Sequence, residues 1–245
     1  MHEDFFYIDP SKVQQEELIF QLEEFHHMIH VIRKKKGDRI RAVDGQGIAY
    51  EAEITAVFPL EARAKVLDIR RRVGEPNVDV TLIQSVLKGS RFEWVIEKAT
   101  ELGVRRIIPM LSDRSVANAP PAKMIRWNRL ALSAMKQCGR SVKPEIAPPA
   151  DLDKLVVLGT DCDYRLIAHP AEDSLPLRKV VSIPDRKTVK AILIVGPEGG
   201  FTDAEVSMAK EQGFQAIHLG PRRLRGETAG IVFLSHLMAS LGELE

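Results

Sequence analysis

The chain has 245 residues, 44% of them apolar and 28% charged, with a net charge of +1. That length and composition give a soluble globular protein with a sizeable core, built as one large domain or as a small domain plus a medium one. No stretch approaches the roughly 20 apolar residues of a membrane span. The N-terminus MHEDFFYIDP has neither the basic patch nor the apolar run of a signal peptide, so a cytoplasmic location is expected.

Residues 1–72 carry a small β-rich pattern. Phe5 to Ile8 is a candidate first strand, followed by a short helix from Glu23 to Ile32 that ends in the basic run Arg33 to Lys36. Arg39 to Val43, Tyr50 to Phe58 and Ala62 to Ile69 alternate as strands. Asp44-Gly45-Gln46-Gly47 supplies a tight turn between the first two. Short strands with tight turns predict a compact barrel. His26, His27 and His30 crowd one stretch without carboxylate or cysteine at ligand spacing, so no metal is expected.

Arg71 to Asn77 is charged and contains Gly and Pro, and it is assigned as the linker. Residues 73–245 have a different rhythm. A β-branched run at Val78 to Val86 precedes a helix at Arg91 to Leu102, with Gly103 at its C-cap and a strand at Arg106 to Met110. A long helix at Lys123 to Gln137 follows. Strands are then predicted at Tyr164 to Ala168 and Ala191 to Val195, and a helix at Asp203 to Gln212. A strand at Ala216 to Leu219 and a helix from about Glu227 to Leu241 complete the chain. Alternating strands and helices predict an α/β fold with a mostly parallel sheet. Cys138 and Cys162 have no metal or disulfide spacing and are expected as free thiols.

Ligands bind outside the carboxyl ends of parallel strands. Two loops there have the composition for it. Gly196-Pro197-Glu198-Gly199-Gly200-Phe201 follows a buried strand, and Thr202 with Glu205 forms a capping box that opens the next helix. Neither GxGxxG nor a phosphate loop is present. Glu198 would repel a pyrophosphate and suits a cationic ligand, such as a sulfonium, or ribose hydroxyls. The second loop runs from Leu219 to Ala229. Arg225 and Glu227 there either pair with each other or act on a substrate, with Thr228 adding a hydroxyl. Arg114 and Arg140 fall just past element ends, where a basic side chain can meet RNA phosphate; capping of helix carbonyls competes as the role of Arg140.

Five ordered segments, HHMIHVIRKKKGDRIRAVDGQG, KGSRFEWVIEKATELGVRRIIPMLSDRS, QCGRSVKPEI, IVGPEGGFTDAE and LGPRRLRGETA, resemble the 16S ribosomal RNA uridine-N3 methyltransferases of RsmE type, in the SPOUT class. The match runs nearly end to end. The resemblance implies an N-terminal PUA-like barrel that binds RNA, and a C-terminal α/β domain with a trefoil knot that holds S-adenosylmethionine. It also implies a homodimer acting on 16S ribosomal RNA in the small subunit, at the decoding region. By motif, cofactor contacts fall on Ala168, His169, Gly196, Pro197, Glu198, Gly199, Gly200, Leu219, Gly220, Leu224 and Thr228. RNA contacts fall on Arg33, Lys34, Lys35, Arg114 and Arg140. Arg225, Glu227 and Arg114 are the candidate catalytic residues, with Arg225 as the cation that stabilises an anionic base and Glu227 as a candidate general base, a role for which helix capping competes equally. The chain departs from the family pattern at Lys136, where an acidic residue is usual, and at Arg223, where an apolar one is usual. An RNA-binding assembly factor without turnover and a nucleotide-dependent enzyme are the competing classes.

Overall fold

A computed structural model describes residues 5–114, 119–182 and 188–244. The chain forms two compact units, one of Met1–Glu75 with Leu132–Lys143 and the other of Pro76–Ala131 with Pro144–Glu245.

The first unit is a six-stranded sheet in the order β1 (Phe5–Tyr7), β4 (Arg39–Val43), β5 (Ile48–Val57), β6 (Glu61–Arg71), β3 (Glu17–Gln21), β2 (Val13–Gln14). All its ladders are antiparallel except β1 with β4. The alternation that marked these strands puts Ile40, Ala42, Ala52, Ile54, Ala62 and Ala64 on one buried face with Phe6 and Phe20. The short helix α1 (Leu22–His26) continues into a π-helical turn at His27–Val31. Between β4 and β5, buried Asp44 accepts from the N–H groups of Gln46 and Ile48 through Oδ1 and so fixes the turn.

Leu132–Lys143 joins this unit because Leu132 and Met135 pack with Phe5, Tyr7, Val43 and Ala49. The predicted linker is held in the same place. Arg72 N–H donates to Gly47 O, Ser141 N–H donates to Val73 O, and Glu75 Oε1 accepts from Val142 N–H. It is therefore a hydrogen-bonded return and not an open tether.

The second unit is an eight-stranded sheet in which every ladder is parallel. Its order is β10 (Ala150–Asp151), β8 (Arg106–Leu111), β7 (Val78–Ser85), β13 (Val189–Val195), β11 (Tyr164–Ala168), β14 (Gln215–His218), β12 (Leu175–Pro176), with β9 (Glu145–Ile146) also on β8. Its central strands are apolar on both faces because both faces are covered. Val80, Leu82, Ile107 and Leu193 pack on one side with α2 (Arg91–Glu101), the amino-terminal part of α3 (Pro121–Cys138) and α6 (Gly226–Ser240), through Phe92, Trp127 and Phe233. Ile83, Ile108, Ile192 and Ile194 pack on the other with α4 (Leu152–Leu155) and α5 (Asp203–Glu211). Burying one such aliphatic side chain contributes about 1.5–3 kcal/mol. No helix among the described residues is long and apolar enough to cross a membrane.

Candidate functional site

β13, β11 and β14 are neighbours in the sheet, so the loops that leave their carboxyl ends meet. A cavity of about 460 Å³ lies among them, within the roughly 300–1,000 Å³ usual for small-ligand sites. Ala168 and His169 reach it from β11, Gly196 to Phe201 from β13, and Leu219 to Leu224 from β14, with Gly226 and Ala229 of α6 completing the wall. Every residue assigned to the cofactor by motif lines this cavity except Thr228, one turn into α6 beside Ala229.

The glycine loop has little freedom. Gly200 sits at φ +70° and its N–H donates to Pro197 O, closing a turn. Gly196 leaves room for the Phe201 ring, which a Cβ would approach to 2.9 Å. On its far side the predicted capping box is formed. Thr202 Oγ1 accepts from Glu205 N–H at 3.2 Å, and Glu205 Oε2 accepts from Thr202 N–H at 2.7 Å. Asp203 and Glu205 in that first turn make the start of α5 unsuited to a pyrophosphate. The N–H groups of Glu198 and Gly199 have no protein acceptor among the described residues and are open to a ligand.

Three arginines from separate elements converge on this loop. Arg114 Nη1 donates to Gly199 O at 2.9 Å and to Phe201 O at 3.4 Å. Arg223 Nη2 donates to Glu198 O at 3.1 Å, which ties the second loop to the first. Arg91 Nη1 donates to Glu198 Oε1 at 3.1 Å. Sequence reasoning turned the Glu198 carboxylate toward a cationic ligand, whereas the structure pairs it with a guanidinium. Arg223 acts as a clamp between the two loops.

Arg225 is the N-cap of α6, exposed, with no side-chain partner among the described residues. It does not pair with Glu227, whose ion partner is Arg91 at 3.8 Å. Arg91 is the residue that sequence reasoning missed. It opens α2, 107 residues from Glu198, and only the folded sheet brings them together.

Arg140 calls for a correction. Its side chain is 3% exposed and bonds the Glu75 carboxylate, with Nη2 to Oε2 at 2.8 Å. A buried, paired guanidinium is not offered to a phosphate. Arg33 and Lys35 are exposed in the first unit, while Lys34 Nζ donates to Arg39 O. Lys136 pairs with the Glu24 carboxylate on another element of the first unit. Ser115, next to Arg114 in the quoted motif, lies outside the described residues.

His169 is half-buried in the cavity wall, and its N–H donates to Ile217 O at 3.0 Å. Burial holds its imidazole below the ordinary value of 6.5, with Lys210 adding to the effect and Asp203 and Asp173 opposing it.

Comparison with known proteins agrees with this geometry. A family described as RNA methyltransferase domain matches residues 74–238, and one described as RNA methyltransferase PUA domain matches residues 21–67. Ribosomal RNA small subunit methyltransferase E of Bacillus subtilis is 31% identical over 242 residues, covering 94% of each chain. Two solved structures superpose closely. One is a methyltransferase of Legionella pneumophila in complex with S-adenosylmethionine, at a TM-score of 0.86 and 31% identity, covering 98% of both chains. The other is ribosomal RNA small subunit methyltransferase E of Neisseria gonorrhoeae bound to S-adenosylmethionine, at 0.83 and 28%, covering 97% of this chain and 98% of that one. The site at the ends of β11, β13 and β14 thus lies in a member of a known class: the chain belongs to the RNA methyltransferase family that includes ribosomal RNA small subunit methyltransferase E.

Proposed function

We propose that this chain transfers a methyl group from S-adenosylmethionine to N3 of a uridine in 16S ribosomal RNA, at the decoding region of the small subunit. The observation that carries this is the cavity formed by three adjacent strand-end loops, with open backbone N–H groups and a glycine loop held by arginines. Such a cavity fits a ligand with flat apolar surface and a few groups that bond to backbone. In this account the first unit is a PUA-like barrel that carries RNA through Arg33, Lys34 and Lys35. The loops of the second unit thread as a trefoil knot, and two chains form a homodimer in the cytoplasm.

The cofactor, when bound, supplies a methyl group on an electron-poor sulfonium. The residues of the chain do the rest. The loop backbones of Gly196 to Gly200 and of Leu219 to Leu224, together with Ala168 and His169, would hold the ligand, with Thr228 next to the lining residue Ala229. Arg114 keeps the glycine loop in shape from outside, which makes its part in the reaction indirect. Arg225, between cavity residues Leu224 and Gly226, stabilises the negative charge that a uracil ring gains on losing its N3 proton.

His169 makes cofactor affinity depend on pH. Its folded pKa is lowered, so its neutral form is the one favoured in the fold. That contribution to stability is present above 6.5 and lost as pH falls through the folded value. Protonation also puts a positive charge in the wall of a cavity that takes a cation. Calorimetric titration should therefore give tight binding of S-adenosylmethionine and none of NAD at pH 7.5. As pH falls below 6.5 and through the folded value of His169, the S-adenosylmethionine affinity should weaken several-fold, and His169→Asn should remove that dependence. Binding of NAD in preference would overturn the cofactor assignment, and an affinity that stays level across the titration of His169 would overturn its role.

A further inference from the structure

Of the carboxylates around the cavity loops, Glu198 is already paired with Arg91, and a cluster beside it holds a second carboxylate with an unpaired oxygen. Arg91 is the first residue of α2, the end of a helix where a cation is disfavoured by the macrodipole. Local helix energetics therefore do not explain it, but two carboxylates do. Its Nη1 donates to Glu198 Oε1 at 3.1 Å and its Nε lies 3.8 Å from Glu227 Oε1. One guanidinium thus joins the glycine loop to the first turn of α6.

Glu227 is the more unusual of the two. Its side chain is 13% exposed, and its Oε2 is buried without a hydrogen-bond partner among the described residues. Leaving a buried acceptor unpaired is unfavourable, more so when the group is charged. Gly226 and Ala229 of the same turn line the cavity while Glu227 stands behind that lining, so Oε2 is reached only when substrate opens the wall. A donor that arrives with the substrate would satisfy it, and the ring N–H of a uracil is such a donor.

We propose that Glu227 Oε2 accepts the substrate's ring N–H and takes its proton, and that Arg91 is the positioning residue that holds Glu227 for this through Oε1. The proposal rests on the methyl transfer above and names the base that serves it. The N–H bond breaks and the proton goes to Glu227. The nitrogen pair forms the bond to the methyl carbon, while the carbon–sulfur bond breaks and its electron pair stays on sulfur. A carboxylate and a sulfonium become a carboxylic acid and a thioether, so charge balances. Because Glu198 holds the other side of the guanidinium, the loop that lines the cavity and the base are set together.

The test is a kinetic double-mutant cycle on the full chain, with small ribosomal subunits lacking the modification and labelled S-adenosylmethionine, both saturating. Glu227→Gln keeps the shape and should lower kcat at least about 100-fold, with cofactor affinity unchanged. Arg91→Met should lower kcat about 10- to 100-fold through misplacement of the base. With the cofactor saturating, the bond from Arg91 to Glu198 bears on cofactor affinity and its effect on kcat runs through Glu227, so the double variant should be no slower than Glu227→Gln alone. Thermal unfolding of each variant verifies the fold. A double variant slowed by the product of the single effects, or a Glu227→Gln enzyme with near-normal kcat, would overturn the proposal while the wild type still transfers label. A wild type that transfers none would overturn the methyl transfer itself and the proposal with it.

Discussion

Arg140→Ala is expected to destabilise the first unit by about 3–5 kcal/mol, since it leaves the Glu75 carboxylate buried and uncompensated. The pair is almost wholly removed from water, at 3% and 4% side-chain exposure. Arg140 reaches both carboxylate oxygens, with Nε at 3.3 Å from each and Nη2 at 2.8 Å from one. Glu75 Oε1 in turn accepts from Val142 N–H at 2.8 Å. The pair therefore fastens the return at residues 71–75 to the stretch at 139–142. Replacing both side chains, as Glu75→Leu with Arg140→Met, should recover part of the loss, because no charge is then stranded. Recovery stays incomplete since Val142 N–H loses its acceptor, at a cost of about 1–3 kcal/mol. Urea unfolding of the three variants measures this. A loss below about 1 kcal/mol for Arg140→Ala would show that the pair does not hold the unit together.

Arg225→Ala is expected to have the opposite profile, with turnover lowered about 100-fold or more and folding nearly untouched. Its side chain is exposed and has no hydrogen-bond or ion partner among the described residues, so truncation removes no such bond and stability should move by less than about 0.5 kcal/mol. Only backbone is used at this position, where Arg225 O accepts from Ala229 N–H at 2.8 Å, and alanine keeps that bond. Cofactor affinity should stay within about three-fold, because a charge that acts on the anionic base is felt in the transition state and not in the cofactor complex. Near-normal single-turnover rates with small ribosomal subunits would remove Arg225 from the chemistry.

The second unit was the more legible in sequence because its signals are local. Val189–Val195 and Val78–Ser85 announce themselves as buried parallel strands by apolar runs, and Thr202 with Glu205 marks the start of α5 through a capping box that forms as written. The strand at Glu17–Gln21 went unread because its hairpin turns on Gln15 and Glu16, at φ +44° and +71°. Such turns usually carry glycine or asparagine, and without them the signal is absent. The cavity residues were legible as strand-end loops, but the partners of the charged ones were not. Arg140 stands at a helix end like any solvated arginine, and only the fold buries it against Glu75. The link between Glu198 and Glu227 runs through Arg91, whose position in the sequence reads as an ordinary helix start.

The central claim is that the cavity at the ends of β11, β13 and β14 serves methylation of one uridine in 16S ribosomal RNA. Mass-spectrometric mapping of that RNA from a strain lacking this chain, and from the same strain with the chain restored, tests it most directly. The expected result is loss of a single N3-methyluridine in the decoding region and its return with the wild-type chain. An unchanged set of methylated nucleotides in the strain without the chain would contradict it.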